Sequence, residues 1–384
     1  MRHSPRSASR QRRGKILTLL ALMLPVLLAF GALTTDLGMM TVARTQLMTV
    51  ADSGALAGAK ELATNNRLKA NYVPTTEMAA ARAKAQAIGQ ANRVLTGAAV
   101  IDQNADVTIG ERDWNSNTNT WTIPGSPQSS KYNSVTLTAR RRADRGGLVP
   151  AYFSRLWGST GFEAAFSSTA TVQNYSIKGF QSSTANALLL PIALQLSNYT
   201  AMLAGQTSDQ YTYNSNGTVG SGADGIYESL IFPVSTGNAG NWGTVNIGVS
   251  NNSTSTLGDQ IRNGLTPAQL ANVPGGLKLN QALSPPQITF SGNPGISSGL
   301  KDDLTSIIGK PVTVPLYDQT SGSGNNTQFR VIGFGAVRIV SVNFQGNPKY
   351  VIVQPALITD PTAIPGPPQG SWTSGGLIQL HLSE

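Results

Sequence analysis

Cysteine is absent from this 384-residue chain, and histidine occurs only at His3 and His381. Without thiols there is no disulfide, no thiolate metal site and no cysteine nucleophile. His3 sits in a basic tail, so one histidine at most serves a folded site. That disfavours a Ser-His-Asp triad, a histidine-rich zinc site and a facial-triad iron site. Charge is scarce as well: Asp, Glu, Lys and Arg make up 12 % of the chain, against about 25 % in an ordinary soluble domain. Gly, Ser, Thr and Asn fill the gap, the composition of an exported, turn-rich β protein. Apolar residues still make up 40 %, enough to bury a core, which excludes a disordered chain.

The net charge of +9 is not a nucleic-acid footprint. Residues 1–15 hold Arg2, Arg6, Arg10, Arg12, Arg13 and Lys15 and no acid, while the remainder has 22 basic and 19 acidic residues. The basicity is a tail rather than a binding face, and no nucleic-acid partner is expected. From Ile16 to Thr35 there is no charge at all. Twenty residues at 1.5 Å rise span about 30 Å, the hydrocarbon thickness of a bilayer. Arg12, Arg13 and Lys15 flank one end and Asp36 the other, so these four mark the membrane interfaces. The positive-inside rule puts residues 1–15 in the cytoplasm and everything after Asp36 outside. Pro25 lies mid-span, where a kink is expected. Two other readings use the same residues. One is a cleaved signal peptide with Ala29-Phe30-Gly31 near the cut. The other is a prepilin cut after Gly14, although Leu19 stands where such proteins usually carry Glu.

The helical pattern continues past the span. Residues 36–66 hold no Pro, and Leu37, Met40, Leu47, Val50 and Ala51 recur at three- and four-residue steps. Gly54 and Gly58 form a GxxxG, with Ala51, Ala55 and Ala59 as a second row of small residues. Such rows let helix backbones approach closely. The stripe serves either association with a partner helix or docking on the chain's own globular part. Asp36 is read either as a solvated helix flank or as the partner of a cation on a neighbouring subunit.

These residues resemble the N-terminal segment of TadE/TadG-like proteins of the Flp (tight adherence) pilus system. The similarity covers about residues 12–60: Arg12-Arg13-Gly14, an apolar span with an internal Pro, Thr35-Asp36-Leu37-Gly38, Ala43-Arg44-Thr45-Gln46-Leu47, and the Ala51–Ala59 run. Gly240-Asn241-Trp242-Gly243 with Leu257–Gly264, and Val314-Pro315-Leu316-Tyr317-Asp318 with Arg330–Phe334, resemble later blocks of TadG-like chains. The resemblance implies a bacterial, single-pass inner-membrane protein with an extracytoplasmic bulk, acting in pilus assembly or as a pilin-like component. Its partners would be the bilayer and other Tad/Flp proteins or further copies of itself. Some TadG proteins carry a von Willebrand factor A domain, but Asp318-Gln319-Thr320-Ser321-Gly322 lacks the last Ser of that metal motif and stands too late in the chain.

Beyond the helix, residues 77–175 read as a small α+β domain. Glu77–Leu95 is an Ala-rich helix, 105–112 and 133–142 alternate like half-buried strands, 148–156 suits a short helix, and 166–175 is another strand. Residues 180–384 read as mostly β, with strand candidates at 187–194, 226–233, 243–250, 310–316, 329–344 and 349–358. Helices are expected at 300–308 and at 266–271, where Thr266-Pro267 suits an N-cap followed by Pro. The fold class is therefore α+β, with an N-terminal transmembrane and stalk helix ahead of both parts.

No catalytic residue, cofactor or metal site emerges. Arg140-Arg141-Arg142 with Arg145 reads as a charged strand end. Asp302, Asp303, Asp318 and Asp360 lack EF-hand spacing. The expected protein is non-enzymatic. The rival is a membrane-tethered carbohydrate-binding or hydrolytic β domain, which would need acids and Trp clustered in a cleft of residues 180–384.

Overall fold

The fold comes from a computed structural model that describes residues 11–69, 72–115, 117–214, 216–231, 242–251, 253–345, 349–369 and 376–383. One helix, α1 (Gln11–Glu61), dominates the N-terminal part and runs through Pro25. Its 51 residues make it about 77 Å long. Along the apolar run the helix is left uncovered: Leu17, Leu20, Leu24 and Leu28 are all exposed. Thr34 and Thr35 turn their hydroxyls back to Gly31 O at 2.8 and 2.9 Å, which satisfies them without water. From Asp36 onward the helix gains a buried face. Ala43, Leu47, Val50, Ala51, Ala55 and Ala59 are fully buried, at the three- and four-residue steps of one helical side, and Leu62, just past the helix, is buried with them.

That face packs against helix α2 (Thr75–Ala91) and a six-stranded sheet. The sheet is built on a 17-residue spine, β3 (Ala164–Phe180). Beside its first half lies β2 (Ser134–Arg141), which in turn pairs β1 (Val107–Gly110). Three more strands reach the spine from far along the sequence: β7 (Leu277–Lys278), β12 (Ala363–Pro368) and β13 (Leu377–Leu382). β13 runs along residues 170–175, on the side of the spine away from β2. The strand expected at 166–175 is therefore longer than its alternation suggests.

A second sheet has seven strands. β4 (Ile192–Gln195), β6 (Trp242–Val245), β8 (Ile288–Asn293), β9 (Pro311–Ser321) and β10 (Thr327–Asn343) close into a ring, because β9 pairs both β4 and β10. β11 (Tyr350–Pro355) and β5 (Ser229–Ile231) extend it from the far end of β10. The expected strand 226–233 extends beyond 231 into residues outside the description. Helices α3 (Leu196–Leu203), α4 (Thr254–Asn263), α5 (Pro267–Ala271) and α6 (Lys301–Thr305) fill the connections. α5 starts as the sequence predicts: Thr266 Oγ1 accepts the Gln269 N–H, and the Gln269 side chain accepts the Thr266 N–H. The short helix expected at 148–156 is instead a two-residue strand and a 3₁₀ turn, Ser154–Trp157.

The division expected between residues 175 and 180 falls inside β3, and the two parts share a core. Ile177, Phe180, Leu277, Ala363 and Leu377 of the six-stranded sheet pack with Val331, Phe334 and Ala336 of β10. Phe180 meets Phe334 edge to face at 5.4 Å. The physical reason is that residues 357–383 return to the first sheet, so neither part buries its apolar side alone.

Candidate membrane-anchoring and assembly site

The first component is the free half of α1. Its apolar window has a mean hydropathy of 2.6 and no buried residue. A soluble protein does not leave such a surface to water. Of Arg12, Arg13 and Lys15 only the helical backbone is described.

The second component is the small-residue stripe. Ala51, Ala55 and Ala59 are fully buried, and Gly54 and Gly58 face α2 and β2. A Cβ at Gly54 would lie 2.9 Å from Ala85 O and 3.1 Å from Leu137 Cδ1. At Gly58 it would lie 2.9 Å from Ala81 O and 3.0 Å from both Ala85 Cβ and Val135 Cγ1. Of the two uses open to that stripe, docking on the chain's own body is the one these contacts fit. The space is filled from within, because α2 presents its own small row, Ala81, Ala85 and Gly89, at four-residue steps. Two small rows bring the helix backbones together, and long side chains on either helix would hold them apart.

The third component is Asp36, only 4 % exposed. Its carboxylate accepts the backbone N–H groups of Tyr152 at 2.5 Å, Phe153 at 2.8 Å and Ser154 at 3.2 Å. Asp36 is therefore not a solvated helix flank: three consecutive donors of its own chain occupy its carboxylate. Such a carboxylate is firmly held, since each bond is charge-assisted.

The fourth component is the outer side of α1 just beyond the span. Leu37, Thr41, Arg44 and Met48 follow one another at steps of four, three and four residues and are exposed. With Met40 and Phe166 they line a groove of 460 Å³. The spacing of this stripe is legible in the sequence, but Thr41 and Arg44 interrupt its apolar character and give it no local mark of a contact surface.

The remaining candidates resolve into internal supports. Asp106, nearly fully buried, pairs Arg140 at 2.9 Å and Arg145 at 3.2 Å. Buried Arg141 donates to the Val94 carbonyl at 2.5 Å and to that of Gly146. Asp318 holds Arg330 through two bonds, 2.8 and 2.5 Å. Asp303 pairs Arg262, and Asp360 accepts the N–H groups of Leu188 and Thr362, both at 2.8 Å. Among the described residues no three acids or histidines are grouped to hold a metal ion.

Glu228 is the most perturbed acid. It is 1 % exposed and accepts the Gln210 and Tyr211 N–H groups at 2.7 and 3.3 Å and the Gln354 amide at 3.2 Å. Burial, with Asp209 and Asp224 adding like charge, pushes it up to about 7 against the pull of the two N–H groups. It fastens the chain at Gln210 and Tyr211 to the strand that carries Gln354.

A groove of 880 Å³ runs past Asn246, Ser250, Asn272, Pro274 and Thr289 and is lined by no acid and no Trp. Trp242, from the Gly240–Gly243 block whose first two residues lie outside the description, is buried within the core. Acid and Trp do meet at Glu111, Asp113 and Trp114 of the α+β part, in a 300 Å³ hollow closed on one side by Pro368 and Gln369. There Glu111 accepts the Gln128 N–H at 2.7 Å, and Asn133 closes on the Arg112 backbone at 2.8 and 2.9 Å. The hydrolytic or carbohydrate-binding rival thus finds no support in residues 180–384.

Residues 14–61 match the Tad family model, described as "Putative Flp pilus-assembly TadE/G-like". The match covers α1 from just before the apolar span to its last residue. No curated protein and no solved structure matches the chain.

Proposed function

We propose that this protein is a non-enzymatic, single-pass component of a Tad/Flp pilus system, anchored by residues 16–35. The observation that carries the reading is the coincidence of the TadE/G-like match with one helix that is bare for half its length and the spine of the folded body for the rest. The positive-inside rule, applied to the basic residues 1–15, supports a cytoplasmic N-terminus and a body outside the bacterial inner membrane. Its contacts with other pilus proteins, or with further copies of itself, use the exposed stripe Leu37, Thr41, Arg44 and Met48 with Met40 and Phe166, continuous with the membrane segment. The expected role of Ala51, Gly54, Ala55, Gly58 and Ala59 is then to weld the anchor to the body.

The absence of cysteine makes the test clean, because any introduced thiol is the only one. Single Thr45→Cys and Met48→Cys variants, crosslinked in native membranes, should give discrete adducts. Lys84→Cys, on the exposed side of α2, should give none. Equal or absent adducts at all three positions refute the stripe as a contact surface. Deleting the gene from its native cell should remove surface Flp pili, and normal piliation would refute the pilus role itself.

A further inference from the structure

The uncharged run ends at Thr35, so Asp36 is the first charged residue where α1 leaves the hydrocarbon. Its carboxylate holds three consecutive N–H groups of residues 152–154. A carboxylate side chain plus one hydrogen bond places those backbone atoms within roughly 8 Å of the helix at that level. The headgroup layer on each side of a bilayer is itself about 5–8 Å deep. Whatever Asp36 holds at its own level therefore lies in that layer. The held segment carries Tyr152, 56 % exposed although large and aromatic. Arg155, one turn on, is exposed as well. An aromatic ring with a polar tip beside a guanidinium is the chemistry that headgroup regions favour.

We propose that residues 150–155 form a lipid-contacting foot, seated in the phospholipid headgroups of the exported leaflet and clamped there by Asp36. The proposal rests on the reading of residues 16–35 as the membrane span. Tyr152 is the interfacial anchor, and Arg155 faces lipid phosphates. A helix passing once through a bilayer is free to tilt and to rotate about its axis. A second contact, off the axis and at interface depth, fixes both, and so sets which way the stripe at Leu37–Met48 faces.

The test uses the full chain in vesicles of phosphatidylcholine and phosphatidylglycerol, with an environment-sensitive fluorophore on single cysteines at Leu27, Tyr152 or Val73. Val73 is as exposed as Tyr152, at 56 %, but lies beyond the far end of α1, some 25 residues and about 38 Å along the axis from Asp36. Headgroup-attached nitroxide lipid should quench the label at 152 several-fold more than the label at 73, and chain-attached nitroxide should quench the label at 27. Equal quenching at 152 and 73 with residue 27 embedded overturns the foot and leaves the span standing. An unquenched label at 27 refutes the span, and the foot falls with it. A shielded label at 152 that ignores the lipid quencher and varies with protein-to-lipid ratio assigns the segment to a second copy, which also overturns the proposal. Asp36→Ala should bring quenching at 152 down toward the value at 73 while residue 27 stays embedded. Unchanged quenching at 152 in that variant removes Asp36 as the clamp.

Discussion

Replacing Gly58 by Ala tests whether the small-residue stripe is an internal weld or a surface for another chain. Two effects oppose each other. Helix propensity favours Ala over Gly by about 1 kcal/mol. Against it, the new methyl would lie 2.9 Å from Ala81 O and 3.0 Å from Ala85 Cβ and Val135 Cγ1. None of these is the loose end of a long side chain, so α2 must shift. Overpacking of this kind costs about 1–3 kcal/mol. The balance is a net loss of about 1 kcal/mol, read as a fall in Tm of roughly 1–2 °C for a folded body of this size. Gly58→Val, with two further methyls, should lose more. Gly38→Ala, on the same helix with nothing within 4 Å of its Cβ, isolates the propensity term and should hold or raise Tm. Thermal unfolding of the detergent-solubilised full chain, followed by near-ultraviolet circular dichroism, measures all three. If Gly58→Ala is as stable as Gly38→Ala while intermolecular crosslinking is lost, the weld is refuted and the stripe belongs to a partner.

Two further predictions concern charge. Burial raises Glu228 from 4.5 to about 7 in the fold, so the native state binds its proton more tightly than the unfolded chain. Its contribution is therefore full below pH 4.5, declines as pH rises through 7, and is constant above. Glu228→Gln should flatten the stability–pH curve between those limits in chemical denaturation series, and an unchanged slope would rule Glu228 out as its source. Asp106→Ala removes the shared partner of Arg140 and Arg145, whose side chains are 32 % and 22 % exposed. Because both guanidinium groups reach water, the loss should be about 2 kcal/mol, below the 3–5 of a fully buried pair, as read by denaturant midpoint.

The sequence disclosed those features that depend on neighbours a few residues apart. The uncharged run, the three- and four-residue steps of Leu47, Val50 and Ala51, the alternation of β2, and the Thr266-Pro267 helix start are local patterns with local causes. The partner of the Gly/Ala stripe was half legible: Ala81, Ala85 and Gly89 repeat at the spacing the stripe requires, yet nothing in α1 says the two rows meet. The role of Asp36 was not legible at all. Its partners are backbone N–H groups 116 to 118 residues away, and backbone donors leave no mark in a sequence. The shared core escaped for a similar reason. β3 is rich in Ser, Thr, Gln and Asn because successive stretches of it serve different neighbours, which blurs the alternation of a strand with one solvent side.

The pairing of β13 with β3 also sets an order of events. Leu377 lies opposite Tyr175, so about two hundred residues must be made after the spine before that side of it is covered. α1, by contrast, emerges first and needs the same sheet to bury Leu47, Val50 and Ala51. Until β13 arrives, the nascent chain holds an anchored helix on a half-built sheet with an open edge, the kind of edge that recruits strands from other chains. Premature termination ahead of residue 377 would therefore leave incomplete the very sheet on which α1 packs, although the missing residues lie farthest from α1 in sequence.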